Sequence, residues 1–259
     1  MSLQFERQSL RFGWPSRFAL LACVLIVAVA YFPLRWLSTS VAKMTNCQVS
    51  VLQPEGTFWK GSAQLGFSDI QTGAAETCQV PQAGTERFSW TSHCSVANLK
   101  CTWIILYANA ARPLELTVRP SAITLVNNQI ELPANMIEVA GGLMRSLHLR
   151  GKLVIRWEDL IWDASPRGLV EVRFLELVSP ISPLKPLGSY ALTLQLKQAL
   201  TLDFLTTNGP LLLTANGMIE KGRLSLQGEA TASPESLDSL IGLLSIIGKK
   251  DGTVYRFKI

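Results

Sequence analysis

The stretch that most limits what this chain can become runs through its second half, where apolar and polar residues change places at almost every step. Leu147, Leu149, Leu153, Ile155 and Trp157 share one parity, and His148, Arg150, Lys152, Arg156 and Glu158 take the other. The pattern returns as Val170, Val172 and Phe174 against Glu171 and Arg173, and as Tyr190, Leu192, Leu194 and Leu196 against Thr193, Gln195 and Lys197. Leu200, Leu202 and Phe204 continue it. Period two fits an extended strand with one dry and one wet face and is out of phase with a helix. Ser179-Pro180, Ser182-Pro183, Pro186-Leu187-Gly188, Asn208-Gly209-Pro210, Asn216-Gly217 and Lys221-Gly222 punctuate these runs as turn signals. The reading is a mainly β chain, predominantly antiparallel, with its sheet folded on itself or curved into a groove.

Upstream the same period is present in Leu114-Glu115-Leu116-Thr117-Val118 and more weakly over residues 123–126, while Phe88 to Trp90 and residues 101–107 are β-like. Residues 66–86 are polar, with few aliphatics, and read as loop. Residues 133–140 predict one or two helical turns stopped by Gly141-Gly142. One amphipathic helix breaks the β register near the end. Ser233 is placed as its N-cap and Pro234 as its first residue, and Leu237, Leu240, Ile241, Leu244 and Ile247 recur at three- and four-residue steps before Gly248. Tyr255, Phe257 and Ile259 alternate with Arg256 and Lys258, which predicts a last strand.

Residues 18–37 follow a different rule. From Phe18 through Leu34 no charge occurs, and at about 1.5 Å per residue a helix over this run reaches roughly the 30 Å of a bilayer core. Tyr31, Phe32 and Trp36 mark the far boundary as interfacial aromatics. Arg7, Arg11 and Arg17 precede the run, whereas Arg35 and Lys43 follow it, so the N-terminus is expected in the cytoplasm. A cleaved signal peptide is the competing reading, with small residues at Ser38-Thr39-Ser40, but the apolar run is longer than an ordinary h-region. The expected division is a leader over 1–17, a membrane helix over 18–37 and an exported β-rich domain over 38–259.

Of 259 residues 48% are apolar and 17% charged, which calls for a packed core and argues against wholesale disorder. The net charge of +5 divides into +2 over residues 1–17, from three arginines against Glu6, and +3 over everything after. That is too dilute for a phosphate-binding stripe, so nucleic acid is not an expected partner. Cys23 falls in the apolar run, where a thiol is a small apolar residue. Cys47, Cys78, Cys94 and Cys101 lie beyond it, an even number that predicts two disulfides; zinc would want C-x-x-C spacing and more histidine than His93. Three pairings are open, and Cys94 with Cys101 closes a hairpin-sized loop, which leaves Cys47 with Cys78.

The search for chemistry returns little. The chain has no G-x-S-x-G, H-E-x-x-H or G-x-G-x-x-G, and residues 242–250 resemble a phosphate loop only superficially, since Lys250 stands where a magnesium-holding Ser or Thr belongs. His93 and His148 read as surface residues, and Glu158, Asp159 and Asp163 as a solvated strand edge. No catalytic residue, metal site or cofactor is expected. In Gly56-Thr57-Phe58-Trp59-Lys60-Gly61-Ser62-Ala63 two glycines bracket an aromatic pair, which predicts a hairpin corner whose tryptophan packs inward, with a ligand-stacking Trp59 as the alternative.

Taken in order, several segments resemble the type II secretion system protein N family of Gram-negative inner-membrane proteins. They are residues 56–63, Trp90, Trp103, Trp162-Asp163-Ala164-Ser165, Pro186-Leu187-Gly188-Ser189-Tyr190, residues 206–211 with Gly209 and Pro210, Gly228-Glu229-Ala230, and the helix ending at Gly248-Lys249. The four exported cysteines and the insertion over 66–86 depart from that pattern. The resemblance implies a non-enzymatic, single-span inner-membrane component whose periplasmic domain meets the secretin or the inner-membrane platform. The family is in turn similar to AsmA-like envelope proteins, whose extended curved sheets are associated with lipid handling. A lipid-binding groove is therefore the rival expectation.

Overall fold

The computed structural model of the chain describes residues 49–67, 83–140, 146–197, 199–220 and 223–258, with residues 20, 34 and 40 as isolated positions. In chain order the strands are β1 (Val49–Gly56), β2 (Lys60–Phe67), β3 (Ala83–Ser95), β4 (Lys100–Leu106), β5 (Leu114–Arg119), β6 (Ala122–Leu125), β7 (Asn128–Pro133) and β8 (Arg150–Trp157). They continue with β9 (Leu160–Trp162), β10 (Gly168–Val178), β11 (Gly188–Leu196), β12 (Leu200–Asn208), β13 (Leu211–Glu220) and β14 (Arg223–Ala232). Helix α1 (Leu237–Ile247) precedes β15 (Lys249–Asp251) and β16 (Val254–Lys258). Every strand pair is antiparallel. Seven strands form one sheet in the order β1-β2-β3-β4-β5-β6-β9, and nine form another in the order β15-β16-β14-β13-β12-β11-β10-β8-β7.

The two sheets are joined by one bent ladder. β6 leads into β7, and β8 into β9, across two residues each; Leu125 pairs with Leu160 before the bend and Asn128 with Trp157 after it, so the pairing resumes without a slip. Asn128 lies three positions on from Leu125, and Leu160 three positions on from Trp157. An odd step puts the dry face of one sheet out of phase with the dry face of the other. Polar groups fasten the bend. The Trp157 indole N–H donates to Val126 O at 2.8 Å, and Asn127 N donates to Asp159 Oδ1 at 2.7 Å. The buried Asn128 amide donates to Arg112 O and Pro113 O, and Arg112 reaches the carbonyl and side-chain oxygen of Asn127. Ile161 and Arg167 exchange two hydrogen bonds of 2.9 Å, which carries the chain past the bend a third time into β10.

The core lies at the far end of the nine-stranded sheet. Tyr190, Leu211, Ala230, Ala232 and Tyr255 rise from its dry face against Leu240, Leu243 and Leu244 of α1, with Leu147, Leu149, Leu177, Leu187 and Ala134 closing the side. Leu240 and Leu244 are fully buried, as their helical spacing predicts. Trp157 is buried at the bend, in agreement with its place in the alternation.

Several expectations need adjustment. Residues 66–86 are not all loop, because β2 runs to Phe67 and β3 begins at Ala83. The strand expected from Leu147 begins at Arg150, since His148 and Gly151 take positive φ values of 44° and 136° and the ladder is bulged opposite. Asn216-Gly217 is no turn but the middle of β13, where a Cβ on Gly217 would stand 2.4 Å from Ser225 O; the glycine admits a close strand. Ser233 makes no side-chain cap, and Pro234–Ser236 form a 3-10 turn before the α-helix starts at Leu237. Ala134–Ala140 is likewise a 3-10 segment.

The run over residues 18–37 lies outside the described residues apart from Leu20 and Leu34, both helical, and so do Cys47, Cys78, Phe18 and Trp36. Among the described residues no helix is long and apolar enough to cross a membrane.

Candidate interaction surface

Directly paired residues of an antiparallel ladder point to the same side, so register alone sorts the seven-stranded sheet into two faces. One carries Phe88, Trp90, Trp103, Ile105, Leu114, Leu116, Leu125 and Leu160 in adjoining rows. The other carries Ser62, Gln64, Arg87, Ser89, Thr91, Thr102, Glu115, Thr117 and Thr124, with Ile104, Leu106 and Ile161 among them. Arg87 binds Glu55, Ser62 and Gln53 there, and the hydroxyls of Thr102 and Thr117 meet at 3.1 Å. The first face is as apolar as a core face, yet it has no helix over it among the described residues. Only Ala63, Gly66 and Leu160 are buried in these seven strands among the described side chains.

The aromatic pair bracketed by glycines folds onto this face. Gly56 pairs with Gly61 at the β1–β2 turn, and Thr57 N donates to Lys60 O at 2.9 Å. Gly56 has φ of 90°, and a Cβ on Gly61 would stand 2.7 Å from the Trp90 ring, so both positions need glycine. Ser92 N then holds Trp59 O at 2.7 Å and the Trp90 indole donates to Phe58 O at 3.0 Å. Trp59 stacks on Trp103 with ring centres 6.2 Å apart, and Phe58 meets both edge-on. Trp59 is thus a half-buried member of a sheet-face cluster rather than the centre of a closed core. Trp103 is its partner, a role visible only once register places β4 beside the turn.

Two glycine-bearing turns are brought together at the covered end of the other sheet. A Cβ on Gly209 would stand 2.3 Å from Gly188 Cα, and one on Gly188 would stand 2.6 Å from Asn208 O, so Pro186-Leu187-Gly188 and Asn208-Gly209-Pro210 cross backbone to backbone. The Tyr190 hydroxyl lies 3.2 Å from both Leu187 O and Leu211 O and donates between them. Burial pushes its phenol well above the ordinary value. Thr206 ties the same corner through Leu213 N at 2.7 Å. This is architecture, and it holds no open chemistry.

One of the expected disulfides is present: Cys94 and Cys101 are directly paired across the β3–β4 hairpin and bonded. His93 and His148 are exposed, and among the described residues no three His, Cys, Asp or Glu side chains gather as metal donors. Glu158, Asp159 and Asp163 do not act together. Asp159 serves the bend, while Ser165 N and Arg167 hold the Asp163 carboxyl below its usual range. A cleft of about 1030 Å³ beside the end of α1 mixes Phe204, Ala215 and Phe257 with Asp203, Glu229, Arg256 and Lys258. Arg256 is engaged there by Glu229 and Asp251, which raise its pKa.

Sheet edges are largely guarded. β7 is covered by residues 109–111, through the Ala110–Ile130 bridge and the Ala111 N to Gln129 O bond. β15 is three charged residues, and β1 is broken by a bulge at Gln53 and Pro54. What the molecule offers a partner is a face more than an edge.

Among the described residues the chain is an antiparallel two-sheet protein in which a helix covers the end of one dry face and no helix covers the other. The family model of type II secretion system protein N matches residues 48–258, and the chain belongs to that family, a family of secretion components rather than of enzymes. No curated protein and no solved structure matches the chain.

Proposed function

We propose that this chain is a non-enzymatic inner-membrane component of the type II secretion system, held by residues 18–37 with its N-terminus in the cytoplasm and its β domain in the periplasm. In this reading the open dry face of the seven-stranded sheet meets the secretin or the inner-membrane platform, while the nine-stranded sheet keeps that face in shape. The observation that carries it is the apolar face itself: Trp103, Leu116 and Leu125 stand in one cross-strand row, half-exposed, in a chain of a secretion family. The expected occupant is a protein surface, and no cofactor is required.

A photoreactive amino acid at position 116, on the dry face, or at 117, on the wet one, tests it in cells that assemble the whole machine. The proposal expects adducts with a secretin or platform subunit from 116 and few from 117. Equal labelling from both, or adducts only with unrelated envelope proteins, contradicts it. The open face also supports the rival lipid-handling reading. Stoichiometric lipid extracted from the purified chain, with no protein adduct at 116, would favour that reading.

A further inference from the structure

We propose that the end of the seven-stranded sheet formed by the turns at 96–99, 119–121 and 163–166 docks on an anionic phospholipid bilayer. The last cross-strand row of the dry face is the Cys94–Cys101 disulfide, Val118, Ile123 and Trp162, in that order across the sheet. Ile123 is 41% exposed and Trp162 42%, and just beyond the row Val96 and Leu99 reach 86% and 64%. Single exposed apolar residues are ordinary; four large ones at one sheet end are not. They sit on and beside protruding turns, a shape suited to a deformable headgroup layer, and tryptophan favours that layer.

Charge at the same end names the kind of bilayer. Beyond the Cys101–Val118 pair, the next residue of each strand is a cation, Lys100 at the start of β4 and Arg119 at the end of β5, both of wet-face parity. Like charges on neighbouring strand ends repel, and neither side chain has an acidic partner among the described residues. The nearby acid, Asp163, is occupied by Arg167 at 3.0 Å. An apolar row on one face with two uncompensated cations on the other matches an interface in which rings and aliphatics enter the acyl boundary and cations meet phosphates. The patch is the end row of the same face, next to the row of Trp103, Leu116 and Leu125, and the inference does not depend on what that row meets.

The test uses the full-length chain brought by detergent removal onto vesicles with brominated acyl chains, either phosphatidylcholine alone or with about one third phosphatidylglycerol. The fluorescence difference between the parent chain and Trp162→Phe isolates the Trp162 signal from the other tryptophans. Docking predicts that this signal is quenched in anionic vesicles, and that Lys100→Gln with Arg119→Gln weakens the effect roughly 25-fold, two cations' worth of surface attraction. The readout is the same whether or not residues 18–37 insert, so failure of the anchor and failure of the docking are separate results. An unquenched Trp162 in protein whose disulfide and thermal midpoint are intact overturns the proposal. So does quenching that is equal in neutral vesicles and indifferent to the double substitution.

Discussion

The two sheets are built from the same kind of sequence and end in different physical states. In both, strands alternate apolar and polar residues, and in both register aligns the apolar set on one face. On the nine-stranded sheet α1 and the segment around Leu147 cover the end of that face, and Tyr190, Ala230, Leu240 and Leu244 are nearly or wholly removed from water. On the seven-stranded sheet no described element does this, and Trp90, Trp103, Leu116 and Leu125 stay half-exposed. Alternation therefore specifies which face is dry but not what dries it.

The comparison breaks first at the bend. Trp157 is buried and its indole holds Val126 O, so Trp157→Ala should cost about 3–5 kcal/mol and unfold a marginal domain, whereas Arg156→Ala on the wet side should cost well under about 1 kcal/mol. Equal effects in urea titrations would mean that the joint between the sheets is not where the stability lies. Next comes the contrast between the faces. Leu244→Ala, under the helix, should cost about 2–5 kcal/mol, and Leu116→Ala, on the open face, about 1 kcal/mol or less. Comparable losses would show that the open face is covered after all.

The disulfide sharpens the contrast within one sheet. Cys94→Ser with Cys101→Ser opens a loop of seven residues' separation and should lower stability by about 2–3 kcal/mol in the chain-entropy view. Proteolysis at the β3–β4 turn should rise while cleavage around α1 does not. A smaller effect than these is expected at Tyr190. Tyr190→Phe should cost about 1 kcal/mol for the lost hydroxyl donor. Because burial raises its folded-state pKa above the ordinary value of 10.0, the neutral phenol contributes stability in full below pH 10 and loses it as pH climbs above. The parent chain should therefore weaken in alkali more than the Phe variant, which a melting series from pH 8 to 11 would read.

Much of this was legible along the chain. Trp157, Tyr190 and Phe204 declared their strands and their inward face, and Leu240 and Leu244 their helix, because each signal is local and repeats. Gly188 and Gly209 are legible as turn markers, but the backbone crossing that requires them joins residues 21 positions apart. The bend was illegible for a similar reason. It rests on Asn128, Asp159 and Arg112, polar residues whose partners are set by register, and nothing at their own positions announces a corner. Asn216-Gly217 misled because the dipeptide favours a turn in isolation, while in place the glycine lets β14 come close. The open surface needed register most of all, since Phe58, Trp59 and Trp103 become a cluster only when β4 is laid beside the first hairpin.

Native-state hydrogen exchange on the full-length chain tests most directly the claim that one sheet carries the fold and the other carries an open face. The account predicts that amides of β11 to β14 exchange only through global unfolding, while those of β4 to β6 open at a clearly lower free energy. Exchange of both sets in a single slow class would contradict it.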